Sequence, residues 1–139
     1  MIDFIYETLS GLGFDHPLHP IAVHIPMGMI VGGFLFGLLG LKMEQLTRTA
    51  HYCFSLALVF IVPTIITGIM DWQYRMVGHW SSFIVAKLIL ASTLTVLLAL
   101  SVWFGYKKTL SFKSLLVLYG LCVMNAGGLG YIGGELSYG

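Results

Sequence analysis

Residues 20–41 read PIAVHIPMGMIVGGFLFGLLGL. The stretch holds no Asp, Glu, Lys or Arg, and His24 is its one ionisable side chain. A helix needs about 20 mostly apolar residues to cross the hydrocarbon of a bilayer. A single helix satisfies its backbone polar groups there without help from water. Residues 49–70, 80–104 and 112–132 meet the same requirement. Short connections between antiparallel neighbours favour an up-down arrangement. The pattern therefore predicts an all-α fold, an integral membrane four-helix up-down bundle.

The rest of the chain agrees. Of 139 residues, 58% are hydrophobic and 9% charged, against roughly 25% charged in a soluble domain. Lipid is the solvent this composition suits. The length holds one domain, residues 16–139, behind an interfacial segment, residues 1–15, and leaves no room for a soluble catalytic domain. A net charge of +1 with no basic tract argues against nucleic acid as a partner. Cys53 and Cys122 lie in separate apolar runs, with no CxxC or CxxCH pattern, and read as small buried hydrophobes.

Residues 1–13 open with Asp3 and Glu7 where a cleaved signal would carry basic residues, so the first span is expected to direct its own insertion. Within them, Ile2, Ile5, Tyr6 and Leu9 fall on one face of a short amphipathic helix. Orientation follows from the basic residues. Lys42, Arg48, Lys107, Lys108 and Lys113 flank the first and third connections, and Arg75 alone flanks the second. Both termini and the second connection are thereby assigned to the periplasm or its equivalent, on a membrane crossed several times.

That outer end is where most histidines fall. His16, His19 and His24 lie within nine residues, and His79 opens the third span in this reading. Ionisable groups at membrane depth mark functional sites by default. Neutral imidazole ligates iron, copper and zinc, and a b-type haem takes one or two axial histidines from flanking helices. His24 and His79, on different helices, are the expected axial pair, with His19 the substitute. Gly28 lies four residues below His24 on the same face. Glycines at 32, 33, 127, 128, 130, 133 and 134 offer further room for a flat ring, though small residues also serve plain helix packing. Arg75 and Lys87 are candidate propionate contacts. Lys87 has two other outlets, snorkelling or pairing with Asp71 or Glu135. His24 with Met27 makes copper or zinc the competing metal. His51 opens the second helix at the opposite end. A helix rises about 1.5 Å per residue, which puts His51 on the order of 30 Å from the others; it reads as an interfacial residue.

There is no Ser/His/Asp arrangement, no HExxH and no phosphate-binding glycine loop. The chain reads as an electron-transfer or accessory subunit more than as an enzyme.

The strings His16-Pro17-Leu18-His19-Pro20 and Val23-His24-Ile25-Pro26 resemble the opening motif of a bacterial membrane family labelled domain of unknown function 2231. Ile25 stands where that family usually has phenylalanine. The likeness continues through Thr67-Gly68-Ile69-Met70-Asp71-Trp72, His79 and Gly130-Tyr131-Ile132-Gly133-Gly134-Glu135-Leu136. Members resemble small membrane cytochromes and often accompany Rieske iron–sulfur or c-type cytochrome proteins. The resemblance implies a four-helix membrane fold in a respiratory or photosynthetic electron-transfer setting. A haem b subunit would then exchange electrons with a membrane quinol, a neighbouring subunit or a periplasmic cytochrome. The other reading is a cofactor-free structural subunit of a membrane complex.

Overall fold

The computed structural model describes residues 2–75 and 77–138, the last three of these by backbone alone. Five helices follow one another: α1 (Ile2–Gly11), α2 (His19–Gly40), α3 (Gln45–Arg75), α4 (Ser82–Lys107) and α5 (Phe112–Tyr138). The last four are long and apolar enough to cross a membrane. Only 17–22% of each span's most apolar window is buried within the chain. Side chains such as Val59, Val96, Val117 and Met124 instead face outward. An apolar exterior of this extent suits a lipid solvent.

The helices close a ring, α2 packing on α3 and α5, and α4 on α3 and α5. Contacts between successive helices run in opposite sequence order. A Cβ added at Gly40 would meet Thr47, at Gly37 Ala50, and at Gly33 Cys53 and Phe54, while the His19 ring lies against Gly68. On α4 and α5, Gly105 meets Leu115 and Leu90 meets Gly128. The interior mixes small and flat groups with branched aliphatics such as Ile30, Leu94 and Leu98. Ala50, Ala57, Ala126, Ser101 and Cys122 are buried, and the Phe54 and Tyr119 rings stack at 3.8 Å between centroids. Close backbone approach and dispersion hold helices together in lipid, where apolar burial supplies no drive.

Element boundaries depart from the sequence reading in two places. The second span is longer than residues 49–70. No proline or glycine interrupts residues 69–75, so the helix runs on and carries Asp71 within it, stopping before Val77 and Gly78 turn left-handed (φ 49° and 65°). The third span starts later. Ser81 is the N-cap and its Oγ accepts from the Ile84 N–H at 3.3 Å. His79 therefore sits in the connection and does not begin the helix. The apolar Trp80 had suggested an earlier start, but the Ser81-Ser82 pair supplies the capping chemistry.

The amphipathic N-terminal helix forms as α1. Tyr6 is buried, Ile2, Ile5 and Leu9 are half-buried, and Asp3 and Glu7 are exposed. Its buried face meets α3.

Candidate functional site

Pro20 and Pro26 decide the local structure of the histidine segment. Pro20 occupies the first turn of α2, where its missing N–H removes nothing. Pro26 lies inside the helix and cannot donate to the Ala22 carbonyl. The Thr64 hydroxyl of α3 donates to that carbonyl at 3.3 Å, and also to the Phe60 carbonyl at 2.8 Å. The acceptor orphaned by Pro26 thus becomes a tie between α2 and α3.

The first turn of α2 still has free N–H groups, and Asp71 takes two of them. Its Oδ1 accepts from Leu18 N–H at 3.1 Å and its Oδ2 from His19 N–H at 2.8 Å. The Tyr6 hydroxyl donates to Oδ1 as well. One carboxylate on α3 therefore caps α2 and anchors α1. A negative group at a helix N-terminus is also favoured by the helix dipole. The Tyr6 ring stacks on Tyr74 at 4.2 Å, and the Arg75 guanidinium sits 6.0 Å from the Tyr6 centroid. Burial, and then the bond to Asp71, push the Tyr6 hydroxyl above its ordinary 10.0. Arg75 also donates to the Asp15 carbonyl.

The four outer histidines occupy four different surroundings. His16 is exposed and meets Phe14 edge-on at 5.7 Å. His19 is turned inward, its ring against Gly68 and its Nδ1 3.0 Å from the Thr64 carbonyl. His24 is exposed on α2, its Nδ1 against the Pro20 carbonyl. His79 is exposed in the α3–α4 connection, where its carbonyl accepts from the Trp72 indole at 3.0 Å. A carbonyl is satisfied only by a donor, so the neutral rings of His19 and His24 carry their proton on Nδ1. Each then keeps a lone pair on Nε2, the form in which imidazole ligates a metal. Among the described residues no three of His, Cys, Asp and Glu gather at one point. The cluster shares an end of the bundle without forming a multidentate metal cage.

His24 looks onto a shallow groove of about 450 Å³, lined by Val23, His24, Met27, Gly28 and Val31. A Cβ at Gly28 or Gly32 would touch nothing within 4 Å, nor would one at Gly127, Gly133 or Gly134 on α5. The groove's lining comes from α2 alone, so what the structure shows is an imidazole beside an open apolar surface. The groove also holds Met27 but not Met29.

Lys87 is half-buried on α4. It stands three residues after buried Ile84 and seven before buried Leu94, on the inward stripe of that helix. It lies within electrostatic range of both His19 and Asp71. At the other end, His51 is tucked against α4. A Cβ at Gly105 would collide with its ring, and its Nδ1 is buried without a partner. Its ring is packed between α3 and α4.

A family described as "Predicted membrane protein (DUF2231)" matches residues 15–139. The chain belongs to this family. No curated protein and no solved structure matches it. The family's description gives a membrane protein without an activity, so the function rests on the site itself.

Proposed function

We propose that this chain is a haem b-carrying subunit of an electron-transfer complex in the bacterial inner membrane. In this reading the helices alternate up and down, with both termini and the His24 end at the periplasmic face. The observation that carries it is the exposed His24, whose free Nε2 borders an open apolar groove beside Gly28.

When bound, haem supplies a one-electron carrier. The chain's own residues do the rest. The Pro20 carbonyl fixes the His24 tautomer and directs Nε2 to ligate iron. His79, on the connection after α3, would supply the second ligand. Gly28 leaves the ring its space, and the exposed Arg75 balances propionate charge. A carrier at one face cannot move electrons across the bilayer alone, so a periplasmic cytochrome, an iron–sulfur protein or another subunit completes the path.

A second reading has its own support. Tyr6, His19 and Asp71 are engaged in tying helices together, as in a cofactor-free accessory subunit. A pyridine haemochrome assay on protein purified from haem-replete cells separates the two. The proposal expects about one haem per chain, lost in His24→Ala and spectrally altered in His79→Ala. A folded, haem-free wild type would sink it. Copper or zinc found in place of iron would move the site to His24 and Met27.

A further inference from the structure

The end of the bundle away from His24 carries most of the basic residues. Lys107, Lys108 and Lys113 are exposed around the α4–α5 connection, and the sequence holds no Asp or Glu from residue 72 to residue 134. Glu135, the one acid on these two helices, lies at the far end of α5. The α2–α3 connection abuts the same end, since a Cβ at Gly40 would meet both Thr47 and Phe112. It adds Lys42 and Arg48 against Glu44. The local charge is strongly positive.

Basic residues here are what the orientation of a membrane protein requires, so by themselves they mark no site. A second feature does. The outward face of α4 bears an open apolar groove of about 390 Å³, lined by Val96, Ala99, Leu100 and Trp103. Lys107 continues that stripe, seven residues after Leu100 and four after Trp103. Its Nζ stands over the Trp103 ring, 5.3 Å from the centroid. A cation therefore closes one end of the groove. From Val96 to Lys107 the helix rises about 16 Å at roughly 1.5 Å per residue. Half of a hydrocarbon core of ~30 Å is about 15 Å. The stripe is as long as one leaflet is deep, apolar toward the bilayer centre and cationic at headgroup level. Trp103 is exposed just below the cation, at the boundary that indole rings favour.

We propose that this stripe binds an anionic phospholipid, with an acyl chain along the groove and the phosphate at Lys107. Two features select that class. The excess positive charge favours an anionic over a zwitterionic headgroup, by about fivefold for each lysine near the surface. The apolar length below Lys107 favours a lipid over a free phosphate ion, which would leave the groove unused. Binding owes nothing to a haem, and the site stands apart from the His24 end.

The test uses the full chain with Trp72→Phe and Trp80→Phe, so that Trp103 is its one tryptophan. It is placed in nanodiscs of phosphatidylcholine containing a fraction of phosphatidylglycerol, and either lipid carries bromine on its acyl chains to quench Trp103. Brominated phosphatidylglycerol should quench more than the same fraction of brominated phosphatidylcholine. Lys107→Gln should lower that preference about fivefold. Ala99→Phe, which fills the groove and keeps every lysine, should lower it too. Lys42→Gln, on the α2–α3 connection, should change it less than twofold. Equal losses in Lys107→Gln and Lys42→Gln would mean diffuse attraction to the whole end and would overturn the site, as would equal quenching by the two lipids. Relief of quenching by inorganic phosphate, at matched ionic strength, would overturn the lipid as ligand. Native mass spectrometry of the wild-type chain and of Lys107→Gln, counting phosphatidylglycerol retained from detergent, should give the same ranking without any tryptophan substitution.

Discussion

Along α2, Gly33, Gly37 and Gly40 each face atoms of another helix, whereas Gly28 and Gly32 face none. The residue type is the same and the consequence differs. On the inward stripe, which also carries buried Pro26 and Ile30, glycine lets α3 and α5 approach until no Cβ would fit. On the face that carries His24, Gly28 and Gly32 leave a surface open. The inward face is held by packing, with polar ties through Asp71 and Thr64 at the tip. The two surroundings of glycine are thus separated by helix face, and the adjacent Gly32 and Gly33 fall on different ones.

Five substitutions and one change of pH test this division. The largest effect is expected at the tip. Asp71→Ala removes the acceptor of three hydrogen bonds and should lower stability by about 3–5 kcal/mol, since bonds to a charged group are worth roughly 1.5–3 kcal/mol each and overlap. Thermal unfolding in detergent, with proteolysis of α1 as a second readout, measures it. Next comes the glycine pair. Gly33→Ala puts a methyl 2.9 Å from Cys53 and Phe54 and should cost about 1–3 kcal/mol. Gly28→Ala should be neutral or stabilising by up to ~1 kcal/mol, as alanine is the better helix former. Equal losses at the two sites would erase the division.

Thr64→Val leaves the Ala22 carbonyl without its donor and should cost about 1–2 kcal/mol. Tyr119→Phe should cost less than ~1 kcal/mol or stabilise, because the buried Tyr119 hydroxyl has no partner to lose. The smallest effect concerns pH. Tyr6 titrates higher in the folded chain than its ordinary 10.0. Its contribution is fully present below that value and is lost only as pH rises through the folded one. The tie between α1 and α3, where Tyr6 faces Asp71, Tyr74 and Arg75, should therefore hold unchanged from neutral pH to about 9. Tyrosinate absorbance from Tyr6 should appear only above its ordinary 10.0, and Tyr6→Phe should remove that late component.

The four spans and α1 were legible in the sequence because apolar runs and a helical period are local signals. The glycines near His24 were legible as small residues, but not which of them would face open space. Asp71 illustrates the limit. Its place after an apolar run is plain, but its partners lie 52 to 65 residues away. Thr64 was half-legible. Pro26 inside a helix announces an orphaned carbonyl at Ala22, but nothing local names the donor. The apolar Trp80 draws His79 into the helix, whereas the Ser81-Ser82 pair is the better signal. His24 and His19 read alike in the motif, and only packing turned one outward and the other inward.

The Asp71 cap carries a consequence for biogenesis. The carboxylate that closes the start of α2 is made 52 residues after His19. At roughly 5–20 residues per second of synthesis, that interval is on the order of 3–10 s. Through it, the first span waits in the membrane with its leading N–H groups unsealed. Its final position can be set only once the end of α3 has arrived, and α1, whose Tyr6 bonds the same carboxylate, can dock no earlier.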